Sequence, residues 1–106
     1  MKWDRHSCLS IVMTTIGLLT LELHLPYAHS LKEKRVVLQR VKDRLRGKFN
    51  VAVAELDHQD VWQRALLGVV SISSSEQNLR QVLEGALREA EHLLGEELVR
   101  SEIELL

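Results

Sequence analysis

The sequence predicts an α+β domain of two strand-helix-strand units, and three patterns support this prediction. Leucines at positions 19, 21, 23 and 25 alternate with polar residues, which is the period of a half-buried strand. Two segments with apolar residues at helical spacing follow, and each begins with a serine three positions before a glutamate. Between them lies an almost wholly apolar stretch, residues 63–73, which is typical of a central strand.

The first predicted helix follows the turn after Pro26, where the first strand is expected to end. Ser30 and Glu33 form a capping-box pattern, so this helix is expected to run from there to about Phe49. A second strand, residues 50–57, then leads through a polar turn into the apolar third strand. The core-facing side of the helix is predicted to consist of Leu31, Leu38, Val41, Leu45 and Phe49.

The second predicted helix begins with the pair Ser73 and Glu76 and ends near Gly95, and residues 99–105 alternate again as a last strand. Two right-handed crossovers joined by a hairpin give a four-stranded antiparallel sheet with both helices on one face. This βαββαβ arrangement is the ferredoxin-like sandwich. The core-facing side of the second helix is predicted to consist of Leu79, Leu83, Ala86, Ala90 and Leu93.

A single domain is predicted for residues 14–106, and residues 1–13 are expected to be an N-terminal extension. Two basic residues followed by the apolar segment 8–21 resemble a signal peptide, but cleavage there would remove the first strand. We therefore expect a cytoplasmic protein. Cys8 is the only cysteine, so no internal disulfide is possible.

The formal net charge of −1 conceals a strong asymmetry between the two halves of the chain. Residues 1–53 carry ten Lys or Arg against four Asp or Glu, a net charge of +6. Residues 54–106 carry four against eleven, a net charge of −7. Such polarity predicts either an oriented partner or two elements that attract each other within the fold.

Three motifs resemble a known family: Glu22-Leu23-His24-Leu25-Pro26, the run from Ser30 to Arg35, and the run from Glu55 to Arg64. With these, the chain from about Thr14 onwards is similar to the YlxP-like family of small bacterial proteins, a domain of unknown function. The resemblance implies a ferredoxin-like fold and no established activity. It also implies a gene setting near translation-initiation and ribosome-maturation genes, which favours a ribosome-associated role by association alone.

The first helix is the strongest electrostatic feature, because its cations fall along both borders of the apolar stripe. A basic stripe of this length is suited to a phosphate backbone. The alternative is that it neutralises the second helix, whose acidic residues include Glu76, Glu84, Glu89 and Glu91. Only one edge can face that neighbour. The candidate nucleic-acid-binding residues are Lys32, Arg35, Lys42 and Arg46 on one edge, and Arg40, Arg44 and Lys48 on the other.

The polar turn between the second and third strands is a candidate interaction site. Its residues are Glu55, Asp57, His58, Asp60, Trp62 and Arg64. Arg64 is expected to pair with Glu55, Asp57 or Asp60, while Trp62 either covers an edge of the core or is an exposed interface anchor. The spacing of His58 and its acidic neighbours matches no defined metal site, so a structural turn is favoured and no cofactor is predicted.

Function is predicted from these features and from several negative observations. The predicted central strands lack the aromatic residues on which RNA-recognition motifs stack bases, and no nucleophile with a paired base is evident. We therefore expect a non-catalytic module that binds RNA or a ribosomal subunit through the first helix. The alternative is a homodimeric protein-interaction or small-ligand module that uses the open sheet face and the turn, since strands two and three carry apolar residues on both faces.

Overall fold

In the computed structural model, which describes residues 14–106, a four-stranded antiparallel sheet of order β2-β3-β1-β4 packs against two helices. This is the predicted ferredoxin-like fold. The predicted extension and Cys8 lie outside the described residues. The elements are β1 (Thr15–His24), α1 (Leu31–Lys48), β2 (Ala52–Asp57), β3 (Arg64–Ser73), α2 (Glu76–Leu94), a short 3₁₀ turn (Gly95–Glu97) and β4 (Leu98–Leu105).

The core lies between the helices and one face of the sheet. Leu19, Leu21 and Leu23 of β1 are fully buried, which confirms the predicted alternation. Each such leucine contributes about 1.5–3 kcal/mol by leaving water. The helices complete the core with Val37, Leu38, Val41 and Leu45 of α1, and Leu79, Leu83, Ala86, Ala90 and Leu94 of α2.

The two serine caps differ from each other. Ser30 caps α1 as predicted, since its Oγ accepts from the backbone N–H of Glu33 at 3.1 Å. The predicted cap of α2 at Ser73 is wrong, because Ser75 is the residue whose Oγ accepts from the N–H of Asn78, at 3.2 Å. Ser73 instead accepts from the N–H of Ser75 at 3.0 Å, which stabilises the turn before the helix.

Neither helix of the described chain is long and apolar enough to cross a membrane. The α2 helix ends at Gly95, whose φ of 55° and ψ of −123° form a backbone conformation that glycine adopts readily and other residues rarely do. Just before it, Leu94 is buried and Leu93 only half-buried, so the predicted stripe was one residue off at this end.

Two register shifts lie at the same end of the sheet. One falls between Glu22 and Leu23 in the pairing of β1 with β4, and the other between Glu55 and Asp57 in the pairing of β2 with β3. The second shift turns Leu56 over Gly68, where an added Cβ would lie 2.7 Å from Leu56 Cδ1. Glycine at position 68 thus makes room for this leucine, and a larger residue would require the half-exposed Leu56 side chain to move.

Two glycine-to-alanine changes are expected to alter stability in opposite directions, because Gly17 is packed against the core and Gly47 is not. A Cβ at Gly17 would lie 2.5 Å from Leu83 Cδ1, with Leu79 and Leu105 also within 3.2 Å, whereas nothing lies within 4 Å of one at Gly47 in α1. We expect Gly17→Ala to lower the free energy of unfolding by about 1–3 kcal/mol and Gly47→Ala to raise it by about 0.5–1 kcal/mol. Urea unfolding measures both; equal stability of the two variants would contradict the packing.

Candidate functional site

The inner edge of α1 is neutralised by α2. Arg44 Nη1 lies 2.9 Å from Glu89 Oε1, and Lys48 Nζ lies 2.9 Å from Glu89 Oε2. The hydrogen bond from Lys48, followed by that from Arg44, holds the pKa of the Glu89 carboxyl below its usual value, although desolvation opposes the shift. Of the two alternatives for the basic helix, intramolecular pairing therefore holds on this edge, for two of its three candidate residues.

Glu89 is the one acidic residue of α2 that pairs with α1 in the described part of the chain. Glu76, which the sequence also offered as a partner, lies 3.7 Å from Arg80 within α2 itself. Glu84 and Glu91 make no ion pair among residues 14–106. Neutralisation between the helices is thus confined to one carboxylate.

Arg40, the third candidate on the inner edge, lies near the loop that follows β1. Its positive charge lowers the pKa of Tyr27, but burial, a hydrogen bond to Glu97 and the charge of Glu97 raise that pKa more, to about 12. The Tyr27–Glu97 hydrogen bond joins the loop after β1 to the 3₁₀ turn before β4. Arg40 thus lies beside a tyrosine that stays protonated at neutral pH.

The outer edge of α1 consists of Lys32, Arg35, Lys42 and Arg46, and none of the four forms an ion pair with a described residue. Lys32, Arg35 and Arg46 are exposed and Lys42 is half-buried. Arg46 Nη2 lies 3.5 Å from the carbonyl oxygen of Val53, which places this edge beside edge strand β2. At 1.5 Å of rise per residue, the four cations extend over about 21 Å.

Lys34 of α1 has the least expected environment, because its side chain is only 1% exposed. Its Nζ donates to the carbonyl oxygens of His58 and Val61, each at 2.7 Å, and of Arg64 at 3.2 Å. Since an ammonium group has three N–H bonds, these carbonyls occupy all of them. Glu55 Oε2 lies 2.8 Å from Nζ as an ion contact without a hydrogen bond of its own.

The sequence offered a signal for Lys34 that charge counting overlooks. Positions 34, 38, 41 and 45 follow the spacing of the apolar stripe, so Lys34 lies on the buried face of α1 although it is charged. A lysine on that stripe needs acceptors within the fold, and the β2–β3 turn supplies them. Val37, also buried, was the other residue missing from the predicted face.

The turn that surrounds Lys34 is held by local hydrogen bonds. His58 has a φ of 64°, and its N–H donates to Asp57 Oδ1 at 2.7 Å. The His58 carbonyl also accepts from the N–H of Val61 at 3.0 Å. Gln63 joins the turn to the end of β1 through its Nε2, which donates to the Pro26 carbonyl at 3.2 Å. These contacts support the structural interpretation of Asp57.

The predicted pairing of Arg64 with Glu55, Asp57 or Asp60 is wrong. Arg64 Nη2 instead lies 3.1 Å from Glu22 Oε1 on β1. The reason is the pleat of the sheet, because Arg64 and Glu22 project from the open face whereas Glu55 projects toward the helices and Lys34.

The candidate interaction residues of the turn do not converge on one pocket. Glu55 belongs to the lysine cage, Arg64 lies on the open sheet face, and Asp60 is exposed. Trp62 is 50% exposed and lies beside the similarly exposed Val61. Within residues 14–106, no group of three or more His, Cys, Asp or Glu side chains is placed to hold a metal ion.

Fold and site together define a small ferredoxin-like domain whose first helix has one neutralised and one free basic edge. Residues 16–103 match the family described as "Protein of unknown function (DUF503)". The chain is also 44% identical over 72 residues to the uncharacterized protein YlxP of Bacillus subtilis, which covers 64% of this chain and 78% of that protein. The chain therefore belongs to this DUF503 or YlxP-like family, whose function is unknown.

Solved structures of similar shape include two designed proteins. The de novo designed protein Foldit4 has a TM-score of 0.51 at 15% identity, with 88% of this chain and 93% of that chain covered. A second designed protein, described as having a ferredoxin fold, has a TM-score of 0.48 at 12% identity, covering 87% and 82% of the two chains. At such identities the likeness to Foldit4 shows the fold alone.

The lysine cage predicts unequal effects for its two charged residues. We expect Lys34→Met to lower the free energy of unfolding by about 3–5 kcal/mol, because it leaves a buried carboxylate and three carbonyls without their cation. Glu55→Gln should lower it by less, about 1–3 kcal/mol, because the three hydrogen bonds to carbonyls remain while the buried ammonium loses its counter-charge. Urea unfolding measures the difference, and an equal or larger loss for Glu55→Gln would contradict the assignment.

Proposed function

We propose that the protein binds RNA, in the setting of a ribosomal subunit, through the outer edge of α1. The four cations of this edge contact phosphate groups, and no base is read. Such contacts release counterions from the nucleic acid, so the affinity depends steeply on salt. The protein acts as a binding module in this proposal, and no residue is assigned a catalytic role.

The observation that carries the proposal is the contrast between the two edges of one helix. Arg44 and Lys48 both form ion pairs with Glu89 of α2. The four cations of the outer edge have no acidic partner in the described chain. Four free cations along one edge leave a local positive potential that the fold itself does not compensate. The two carboxylates of α1 are engaged elsewhere: that of Asp43 accepts a hydrogen bond from Gln39 at 2.8 Å, and that of Glu33 accepts one from the N–H of His29 at 2.8 Å.

The open sheet face is a poor alternative surface for nucleic acid. Its β1–β4 half carries Glu102 and Glu104, which form no ion pair among residues 14–106 and repel phosphate. Neither β1 nor β3 contains an aromatic residue on which a base could stack. Phosphate recognition is therefore assigned to the helical side of the molecule, next to β2.

A salt series with ribosomal subunits tests this proposal, using two variants that each remove one edge of α1. We expect the outer-edge variant, with Lys32, Arg35, Lys42 and Arg46 changed to Gln, to lose co-sedimentation with the subunits. At salt concentrations where binding is still measurable, the slope of log affinity against log salt concentration should be shallower by about 3. This is the change expected for the loss of four phosphate contacts on single strands. The matched control changes Arg40, Arg44 and Lys48 to Gln and should retain most of the binding.

Three results would contradict the proposal. The first is absence of binding by the unchanged protein at low salt. The second is unchanged affinity of the outer-edge variant. The third is an equal loss for both variants, which would indicate attraction by net charge without a defined edge.

Self-association through the open sheet face is the second candidate function. That face exposes Leu56 of β2, Val70 and Ile72 of β3 and the neighbouring Ile16 of β1, and Ile72 is 55% exposed. Exposed apolar residues grouped on one face are typical of protein contacts. Under this alternative, Ile72→Asp should abolish self-association measured by sedimentation, and Trp62→Ala should weaken it; a dimer unaffected by Ile72→Asp would exclude it.

A further inference from the structure

The outer edge of β4 has unpaired backbone groups in the described chain. The N–H of Leu106 donates to the carbonyl of Ile16 at 2.8 Å, and the pairing with β1 continues without a shift from Leu105 back to Arg100. Backbone groups alternate sides along an antiparallel strand, so the even-numbered residues bond to β1. Ser101 and Ile103 therefore direct their N–H and C=O groups to the free edge, which is open to another strand.

The other edge of the sheet, at β2, is less suited to pairing with an identical strand. Arg46 lies over the carbonyl of Val53, and β2 is interrupted by a register shift between Glu55 and Asp57. Pairing of two β2 strands would also bring the outer edges of two α1 helices together, which places like charges side by side. In the described chain, the β4 edge has no such cation over it, and its own register shift lies at Val99, before the unshifted run from Arg100 to Leu105.

We propose that a second copy of the chain pairs antiparallel with β4, with Ser101 opposite Ser101 of the second copy. This pairing makes one continuous eight-stranded sheet around a two-fold axis. In this register, Arg100 lies opposite Glu102 of the second copy, and Glu102 lies opposite its Arg100. These are non-hydrogen-bonded positions, where side chains of paired strands approach most closely.

The charges within the fold leave this pair free to form. Arg100 is the cross-strand neighbour of Glu22, but Glu22 already accepts from Arg64 at 3.1 Å. Neither Arg100 nor Glu102 makes an ion pair within residues 14–106. Val99, 55% exposed, lies at the register shift of β4 and borders the segment that would pair with the second copy.

Charge also distinguishes the proposed register from its neighbours. A two-fold axis at Glu102 would place Arg100 opposite Glu104 twice, but it would also place Glu102 opposite Glu102 of the second copy. An axis at Ile103 would place Glu102 opposite Glu104 twice, with no compensating pair. Only the axis at Ser101 gives two unlike pairs and no like pair. This register is favoured, because like charges opposite each other are destabilising.

The dimer would arrange the two basic edges in a defined way. Since β2 is the strand farthest from β4, the outer edges of the two α1 helices come to opposite ends of the eight-stranded sheet. At about 4.8 Å per strand, the two ends are about 34 Å apart. The inference does not depend on nucleic-acid binding, since it rests on β4 alone.

Sedimentation of the full chain across the micromolar range tests the dimer and its charges. We expect Arg100→Glu to weaken dimerisation by about tenfold or more, because both unlike pairs become like pairs. The exchange Arg100→Glu with Glu102→Arg should restore it, since the opposed charges are again unlike. Glu104→Arg is the matched control and should leave the dimer unchanged. Circular dichroism confirms that each variant is folded.

Disulfide cross-linking tests the register independently, so the proposal stays falsifiable if a charge variant fails to fold. In a Cys8→Ser background, Ser101→Cys should cross-link to the second copy, because Cα atoms of a hydrogen-bonded pair lie about 5.5 Å apart. Ile103→Cys should not, since its equivalent in the second copy is displaced along the strand.

Four results would overturn the proposal. The first is a monomer at every concentration. The second is a dimer that is insensitive to Arg100→Glu and fails to cross-link at position 101, and the third is failure of the charge exchange to restore the dimer. The fourth is loss of the dimer on Ile72→Asp but not on Arg100→Glu. The last would assign self-association to the open sheet face.

Discussion

The burial of Lys34 is the constraint on which the arrangement of the β2–β3 turn depends. An ammonium group removed from water is destabilising by several kcal/mol unless its charge and its three N–H groups are satisfied. Three carbonyls of residues 58–64 and the carboxylate of Glu55 meet that requirement. The turn must direct its carbonyls inward to do so, and the positive φ of His58 is part of that backbone path.

Placement of Lys34 determines which charges remain for the surface. Glu55 is held by the lysine on the helix side of the sheet, and Arg64 pairs with Glu22 on the open face. Arg100, the cross-strand neighbour of Glu22, is left without an ion pair in the described chain. Between the helices, Glu89 likewise forms ion pairs with two cations on the inner edge of α1. Charges that form no ion pair in the described chain include the four cations of the outer edge of α1, and Arg100, Glu102 and Glu104 of β4.

Much of the fold could be predicted because the leucines of β1 and the helical stripes are local patterns that tertiary contacts reinforce. The environment of Lys34 was harder to predict, since its spacing indicated burial whereas its charge indicated exposure to solvent. The acceptors that decide between the two come from the β2–β3 turn, a distant part of the chain. The prediction of the partner of Arg64 failed for a related reason. Three carboxylates close to Arg64 in the sequence were the obvious candidates, whereas its actual partner, Glu22, is 42 residues away. The choice between the two edges of α1 likewise required knowing where Glu89 lies.

The asymmetry of charge along the sequence becomes an asymmetry across the sheet. Cations that the fold leaves unpaired lie beside β2, at one edge, while Glu102 and Glu104 lie on β4, at the other. Under the two proposals, nucleic acid would bind at the first edge and a second copy at the other, so they would not compete for the same surface. Arg100 is the exception on β4, and it allows this acidic strand to pair with itself without placing glutamates opposite one another.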